Sequence, residues 1–190
     1  MTKRLDFTHG RIRLVSPAVE MFEVWRAAHL GSGPPQSPTN APPRSSEECT
    51  LEQYLKLLEH VDSLRAKGDH ALSILRVSDG AQVGVLSLFD RVDGPSQSIF
   101  IGYTLFNQYW GNGYATEAVR AGLSIAFEKL NMHRVEALVE LDNLASIRVV
   151  ERAGFRKEGT SRRRIFQRGE WRDVYVYAFT EEDQTVLLEG

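Results

Sequence analysis

The sequence has a single cysteine and lacks a long hydrophobic run. Cys49 stands alone among 190 residues, which excludes a disulfide framework and is typical of a reducing compartment. No run of about 18 apolar residues occurs, and the opening MTKRLDF has no apolar stretch, so we expect neither a membrane span nor a signal peptide. With 23 Lys and Arg against 25 Asp and Glu, the net charge of −2 argues against a dedicated nucleic-acid binder. We expect a cytoplasmic monomer or homodimer with no DNA or membrane partner.

Proline is concentrated in one part of the chain. Five of the seven prolines lie between residues 34 and 43, where small and turn-forming residues surround them. Because the sequence on both sides has helical patterns, we predict a loop over 32–46 inside one domain that spans 1–190. At this length and with 42% hydrophobic residues, the chain can bury a core without disulfides or a metal.

Helices are predicted at four places. Ser16 and Pro17 are residue types favoured at a helix start, and Ser45 with Glu48 has capping-box spacing. The first predicted helix follows Pro17, and the others run from the capping box to Gly68, over Ala115–Leu130 and over Asn143–Ala153 before Gly154. We expect Phe22 and Trp25 to face inward on the first helix. On the second helix, apolar residues recur at helical intervals: Leu51, Leu55, Leu58 and the Val61/Leu64 step.

Alternating apolar residues predict the strands. They lie at 11–15, 70–77, 82–89, 98–105, 133–141 and 171–179, with one more between Gly154 and Trp171. Asp-Gly steps join the strands at 70–77, 82–89 and 98–105, which we expect to form an antiparallel meander. A single β-α-β crossover follows. The order predicts an α/β (α+β) fold with a mixed, mostly antiparallel sheet.

The most informative segment is a glycine-containing loop, Gln108–Glu117, between a predicted strand and a strongly periodic helix. Gly111 and Gly113 remove Cβ atoms where the backbone turns, so successive N–H groups can converge on an anion at the positive end of the helix. A diphosphate suits such a loop, although a plain strand-to-helix turn also explains a bare Gly-x-Gly. A Walker loop is disfavoured because Tyr114 and Ala115 stand where it needs Lys and Ser/Thr. NAD binding is disfavoured because Thr116 replaces the third Rossmann glycine.

Two motifs together resemble the GNAT superfamily of N-acetyltransferases, and most closely its RimJ/RimL branch of ribosomal-protein N-terminal acetyltransferases. The first is Gln-x-x-Gly-x-Gly at Gln108–Gly113, followed by the helix opening YATEA. The second is Asn143–Phe155, with Ser146 three residues after its asparagine. The resemblance implies acetyl-CoA as co-substrate, no metal, and a GNAT-like sheet in which the parallel strands 98–105 and 133–141 splay apart.

The resemblance also implies roles for individual residues. The pantetheine arm of acetyl-CoA pairs with the backbone near Leu105 and Phe106, and Asn143 hydrogen-bonds it. Ser146 lies near the sulfur as the candidate acid, although helix N-capping explains both Asn143 and Ser146 equally well. The cofactor-binding residues expected in and before the loop are Leu105, Phe106, Gln108, Trp110, Gly111, Asn112, Gly113, Tyr114 and Ala115.

Two residues that the family often uses for catalysis are missing. Val150 stands where many GNAT enzymes have an acidic tyrosine, and Phe100 stands where this branch often has a glutamate base. Arg162–Ile165, a second family position for a carboxylate, has none. We therefore expect direct attack with deprotonation through water. An α-amine is about 10% neutral at pH 7 and a lysine about 0.04%, so a missing base favours a protein or peptide N-terminus as acceptor. The alternatives are a small amine (amino acid, polyamine or aminoglycoside) or a CoA-binding module without turnover.

The remaining candidates have structural explanations of equal weight. From 156 to 172 there are seven basic residues against Glu158 and Glu170, which suits either a solvated hairpin or a site for an acidic acceptor. Tyr175 and Tyr177 either line the acceptor site or form an outer aromatic face. The five histidines have no metal-ligand spacing, and Cys49 lacks a partner base.

Overall fold

The computed structural model describes residues 4–33 and 43–184, so most of the predicted loop at 32–46 lies outside the described residues. The strands are β1 (Asp6–His9), β2 (Ile12–Val15), β3 (His70–Arg76), β4 (Gln82–Val92), β5 (Ser98–Leu105), β6 (Arg134–Glu140), β7 (Arg156–Gln167) and β8 (Glu170–Thr180). The α-helices are α1 (Phe22–Leu30), α2 (Leu51–Ala66), α3 (Tyr114–Ser124) and α4 (Leu144–Ala153). A π turn over Ile125–Lys129 continues α3, and 3-10 turns occupy Val19–Met21 and Asn107–Tyr109.

The eight strands form one sheet in the order β1-β2-β3-β4-β5-β6-β8-β7. Its one parallel pair is β5 with β6, where Ser98–Phe100 pairs with Arg134–Glu136. Each of these strands continues past its last paired residue, β5 to Leu105 and β6 to Glu140. The mixed sheet and the splayed parallel pair are therefore confirmed.

The described residues group into two compact units. The first holds residues up to Ser87 together with Tyr103–Ala121, and the second holds Leu88–Gly102 and the residues from Gly122 onward. The prediction of one domain over 1–190 stays a prediction. No described helix is long and apolar enough to cross a membrane.

In the first unit, α1 and α2 pack through an aromatic cluster. Trp25 is buried as predicted, and its ring lies 5.0 Å from that of Tyr54. The buried Tyr54 hydroxyl donates a 2.8 Å hydrogen bond to the Ala18 carbonyl, so its polar end is satisfied. On α2, Val61 of the predicted apolar series is buried, but Leu51 and Leu55 are exposed, and Tyr54, which the series left out, is buried in their place.

The two predicted helix starts in this unit are wrong. The Ser16 N–H donates to the Leu5 carbonyl and the Ser16 Oγ accepts from the Leu5 N–H, both at 2.9 Å, so Ser16 extends strand pairing. Ser45 and Glu48 do exchange the reciprocal bonds of a capping box, but they do so in a turn before the helix. Thr50 caps α2, because its Oγ1 accepts from the Gln53 N–H at 3.3 Å.

In the second unit, the sheet carries a buried aromatic cluster and α4. The Phe179 ring lies 5.9 Å from that of Phe127 and 5.7 Å from that of Phe155. Tyr177 is also buried, and its hydroxyl donates a 2.9 Å hydrogen bond to Glu151 of α4. An outer aromatic face is therefore wrong for Tyr177, because α4 supplies a partner on that side of β8.

Candidate active site

The loop before α3 has the geometry expected of an anion site. Gly111 and Gly113 have φ of 77° and 82°, a left-handed conformation that favours glycine, and α3 begins directly after them at Tyr114. Residues 111–113 are exposed, and in the described part of the chain no group accepts from the N–H groups of residues 111–115. At a helix start these N–H groups carry partial positive charge, so the loop can bind an anion.

Side chains of the loop hold its shape. The Asn112 Nδ2 donates 3.0 Å hydrogen bonds to the carbonyls of Tyr109 and Trp110, and the Trp110 Nε1 donates at 3.0 Å to the Leu105 carbonyl. The Gln108 Nε2 points to the Ala28 carbonyl of α1 at 3.4 Å. These contacts make Gln108, Trp110 and Asn112 part of the loop's internal support. Their predicted contacts with the cofactor stay predictions.

The segment predicted to pair with pantetheine already has hydrogen-bond partners within the protein. The Phe106 N–H donates to the Val83 carbonyl at 3.0 Å, and the Leu105 carbonyl accepts from Trp110. Gly84 allows this close approach, since a Cβ there would lie 2.3 Å from the Thr104 carbonyl oxygen. The Leu105 carbonyl retains a second lone pair for a ligand, whereas the Phe106 N–H does not remain available.

In the second unit, the asparagine of the second motif caps α4. The Asn143 Oδ1 accepts from the Ser146 N–H at 3.1 Å, and the helix ends at Gly154 with φ of 102°. The capping explanation of Asn143 is therefore correct. It uses only the carboxamide oxygen, so it leaves the two Nδ2 hydrogens for another role.

The position where this branch often has a glutamate base is aromatic. Phe100 stacks on Phe89, with ring centroids 5.8 Å apart and an interplanar angle of 24°. Its register partner on β6 is Glu136, whose carboxylate accepts from the Arg134 guanidinium. The Glu136 carboxylate is thus engaged in an ion pair with Arg134, and the Phe100 side chain has no group that could accept a proton.

Comparison with known proteins decides the family. A family model described as an acetyltransferase (GNAT) domain matches residues 19–156. The chain belongs to this family.

Relatives within the GNAT family are named N-acetyltransferases, and this chain is one too. It is 38% identical over 141 residues to the Probable N-acetyltransferase YjcK of Bacillus subtilis (strain 168), covering 74% of this chain and 78% of that one. It is 29% identical over 103 residues to the ribosomal protein uS5-alanine N-acetyltransferase of Escherichia coli (strain K12), covering 54% and 53%. Mycobacterium smegmatis RimJ in complex with CoA-disulfide has the same fold, with a TM-score of 0.76 and 22% identity over 98% of this chain and 94% of that one.

Sequence reasoning missed one titratable group of this GNAT domain. The His29 ring on α1 lies 4.9 Å from the Phe106 ring, and its Nδ1 lies 2.8 Å from the Trp25 carbonyl oxygen. Burial lowers the pKa of His29 below its ordinary value, which favours the neutral ring at pH 7. No sequence signal could have found it, because nothing in the pattern of α1 distinguishes His29 from a surface histidine.

The basic segment at 156–172 proves partly neutralised within the protein. Arg156 pairs with Asp183, Arg168 with Glu140, and Arg172 with Glu140, Asp142 and Glu170. The side chains at 162–164 are exposed in an irregular part of β7, where Arg163 has φ of 49°. The exposed excess charge is therefore smaller than the sequence indicates.

Proposed function

We propose that this N-acetyltransferase transfers the acetyl group of acetyl-CoA to the α-amine of a protein or peptide N-terminus by direct attack. Acetyl-CoA supplies the acetyl group as a thioester. The loop at 111–115 carries the proposal, because its N–H groups lack acceptors in the described structure, residues 111–113 are exposed, and the space beside Gly111 is open. The relatives named for ribosomal-protein acetylation support a protein acceptor.

Asn143 and Ser146 supply the polar groups of the second motif. The Asn143 Nδ2 donates to a carbonyl of the pantetheine arm, while its Oδ1 keeps the cap of α4. The Ser146 hydroxyl donates a proton to the leaving sulfur and is reprotonated by water. Water also accepts the proton that the amine loses as its nitrogen bonds to the acetyl carbon, so no proton is left over.

The aromatic residue at position 100 supports an α-amine as acceptor. Without a carboxylate base, the rate follows the fraction of acceptor that is already neutral. That fraction is about 10% for an α-amine at pH 7 and about 0.04% for a lysine side chain. An N-terminal amine therefore depends far less than a lysine side chain on a base of the enzyme to remove its proton.

Steady-state kinetics on two matched peptides test this acceptor class. One peptide has a free N-terminus and no lysine, and the other has a blocked N-terminus and one lysine. We expect kcat/KM at pH 7 to be more than about tenfold higher for the free N-terminus. Faster turnover on the lysine peptide, or on spermidine or free amino acids, would contradict the proposal. Acetyl-CoA binding without turnover on any amine would contradict it as well.

A further inference from the structure

A salt bridge connects the β1–β2 turn to the first turn of α3. The Arg11 Nε donates to the Glu117 Oε1 at 2.8 Å, and the Arg11 backbone N–H donates to the Glu117 Oε2 at 3.0 Å. A second guanidinium nitrogen, Nη2, also donates to Glu117. The same Nη2 donates at 2.8 Å to the carbonyl of Asn112, in the middle of the glycine loop.

The surrounding residues are shaped for this contact. Gly10, with φ of 55°, has no Cβ, and a Cβ there would lie 3.1 Å from a Glu117 carboxylate oxygen. The Arg11 guanidinium also lies over the Tyr114 ring, 5.0 Å from its centroid. Three loop or helix residues are thus held by one arginine: Asn112, Tyr114 and Glu117.

The charge of Glu117 gives this contact a further consequence. Glu117 lies in the first turn of α3, where its N–H donates to the Gly113 carbonyl at 3.2 Å. An unpaired carboxylate at that place repels a diphosphate bound at the helix N-terminus. Burial alone raises the pKa of Glu117, but hydrogen bonds from Arg11 outweigh it, so the pKa lies below its ordinary value and the carboxylate stays charged. Neutralising this charge therefore requires a cation.

We propose that Arg11 is a positioning residue for acetyl-CoA binding, which fixes the glycine loop through Asn112 and neutralises Glu117 beside the diphosphate. This inference rests on the proposed function of the loop. Arg11 acts on the binding of the cofactor and not on the transfer of the acetyl group, so its effects fall on KM for acetyl-CoA.

Arg11→Met tests the proposal in steady-state kinetics and in titration calorimetry with CoA. We expect KM and Kd to rise about tenfold and kcat to change by less than about twofold. The double variant Arg11→Met with Glu117→Gln removes the repelling charge, so it should recover part of the lost affinity. If the salt bridge only stabilised the loop, the double variant would not recover CoA affinity, because it also lacks the salt bridge.

Arg13→Met is the matched control. Arg13 lies on the adjoining strand and pairs with Asp6 through its Nε at 2.7 Å, with no described contact to the loop. Arg13→Met should leave the Kd for CoA unchanged. If Arg11→Met also leaves Kd unchanged, or if the double variant binds no better than Arg11→Met, the proposal is wrong. Gly111→Glu distinguishes a failure of the Arg11 proposal from a failure of the proposed function. If Gly111→Glu also leaves Kd unchanged, the loop is not the diphosphate site and the proposed function fails.

Discussion

At the scale of single residues, most of the candidate side chains support the backbone, and few can take part in chemistry. Asn112 and Trp110 donate to loop carbonyls, and Asn143 uses its oxygen in a helix cap. The phosphate-binding groups of the proposal are therefore backbone N–H groups, which depend on conformation more than on side-chain identity. In the proposal, Ser146 is the residue whose side chain takes part in the chemistry.

Ser146→Ala tests that role. The substitution keeps the backbone N–H that donates to Asn143, so the cap of α4 remains intact. We expect kcat to fall about a hundredfold, because the leaving thiolate loses its proton donor, while KM for acetyl-CoA stays within about twofold. A pre-steady-state measurement of CoA release checks that the chemical step is the one slowed. An unchanged kcat would show that water alone protonates the sulfur.

At the scale of secondary-structure elements, the proposal gives the residue that caps α4 two roles on one side chain. Asn143 caps the helix through its oxygen, and the proposal assigns its Nδ2 hydrogens to the pantetheine arm. Because aspartate retains the capping oxygen but has no amide hydrogens, the two functions can be separated by substitution.

The pair Asn143→Asp and Asn143→Ala makes that separation. We expect Asn143→Ala to lower the free energy of unfolding by about 1 kcal/mol, and Asn143→Asp to keep it near wild type. Both should raise KM for acetyl-CoA, since both lack the amide donor. Chemical denaturation measures the first effect and steady-state kinetics the second. A normal KM in Asn143→Asp would mean that the asparagine is a helix cap and nothing more.

Local sequence patterns predicted some of the helices, strands and loops and missed others. Periodicity and the Gly-x-Gly step predicted α3 and the glycine loop before it, because these depend on local pattern, whereas the splayed strand pair was expected only from the family resemblance. The same patterns missed β1, in which Phe7 is the one apolar residue, and misplaced Ser16, whose partner Leu5 lies eleven residues away. The burial of Tyr177 and the contact of Arg11 with Glu117 depend on tertiary neighbours, 26 and 106 residues away in the chain, that no local pattern records.

At the scale of the whole molecule, net charge is a poor guide to its surfaces. The sum of −2 contains a basic segment at 156–172 and an acidic stretch that begins at Glu181. Arg156 pairs with Asp183 of that stretch, so part of this asymmetry is neutralised within the protein. Family membership, in contrast, is shown by a match over residues 19–156, and two short motifs predicted it correctly.

The central claim is that the glycine loop holds the diphosphate of acetyl-CoA, and one calorimetric comparison tests it. Gly111 and Gly94 both have φ of 77° and open space where a Cβ would lie, so glutamate introduces the same backbone strain at either position. Gly111→Glu also places a carboxylate in the proposed anion site, whereas Gly94 lies outside it. We expect Gly111→Glu to weaken acetyl-CoA binding more than about a hundredfold while Gly94→Glu binds like wild type. Equal affinities for the two variants would contradict the account.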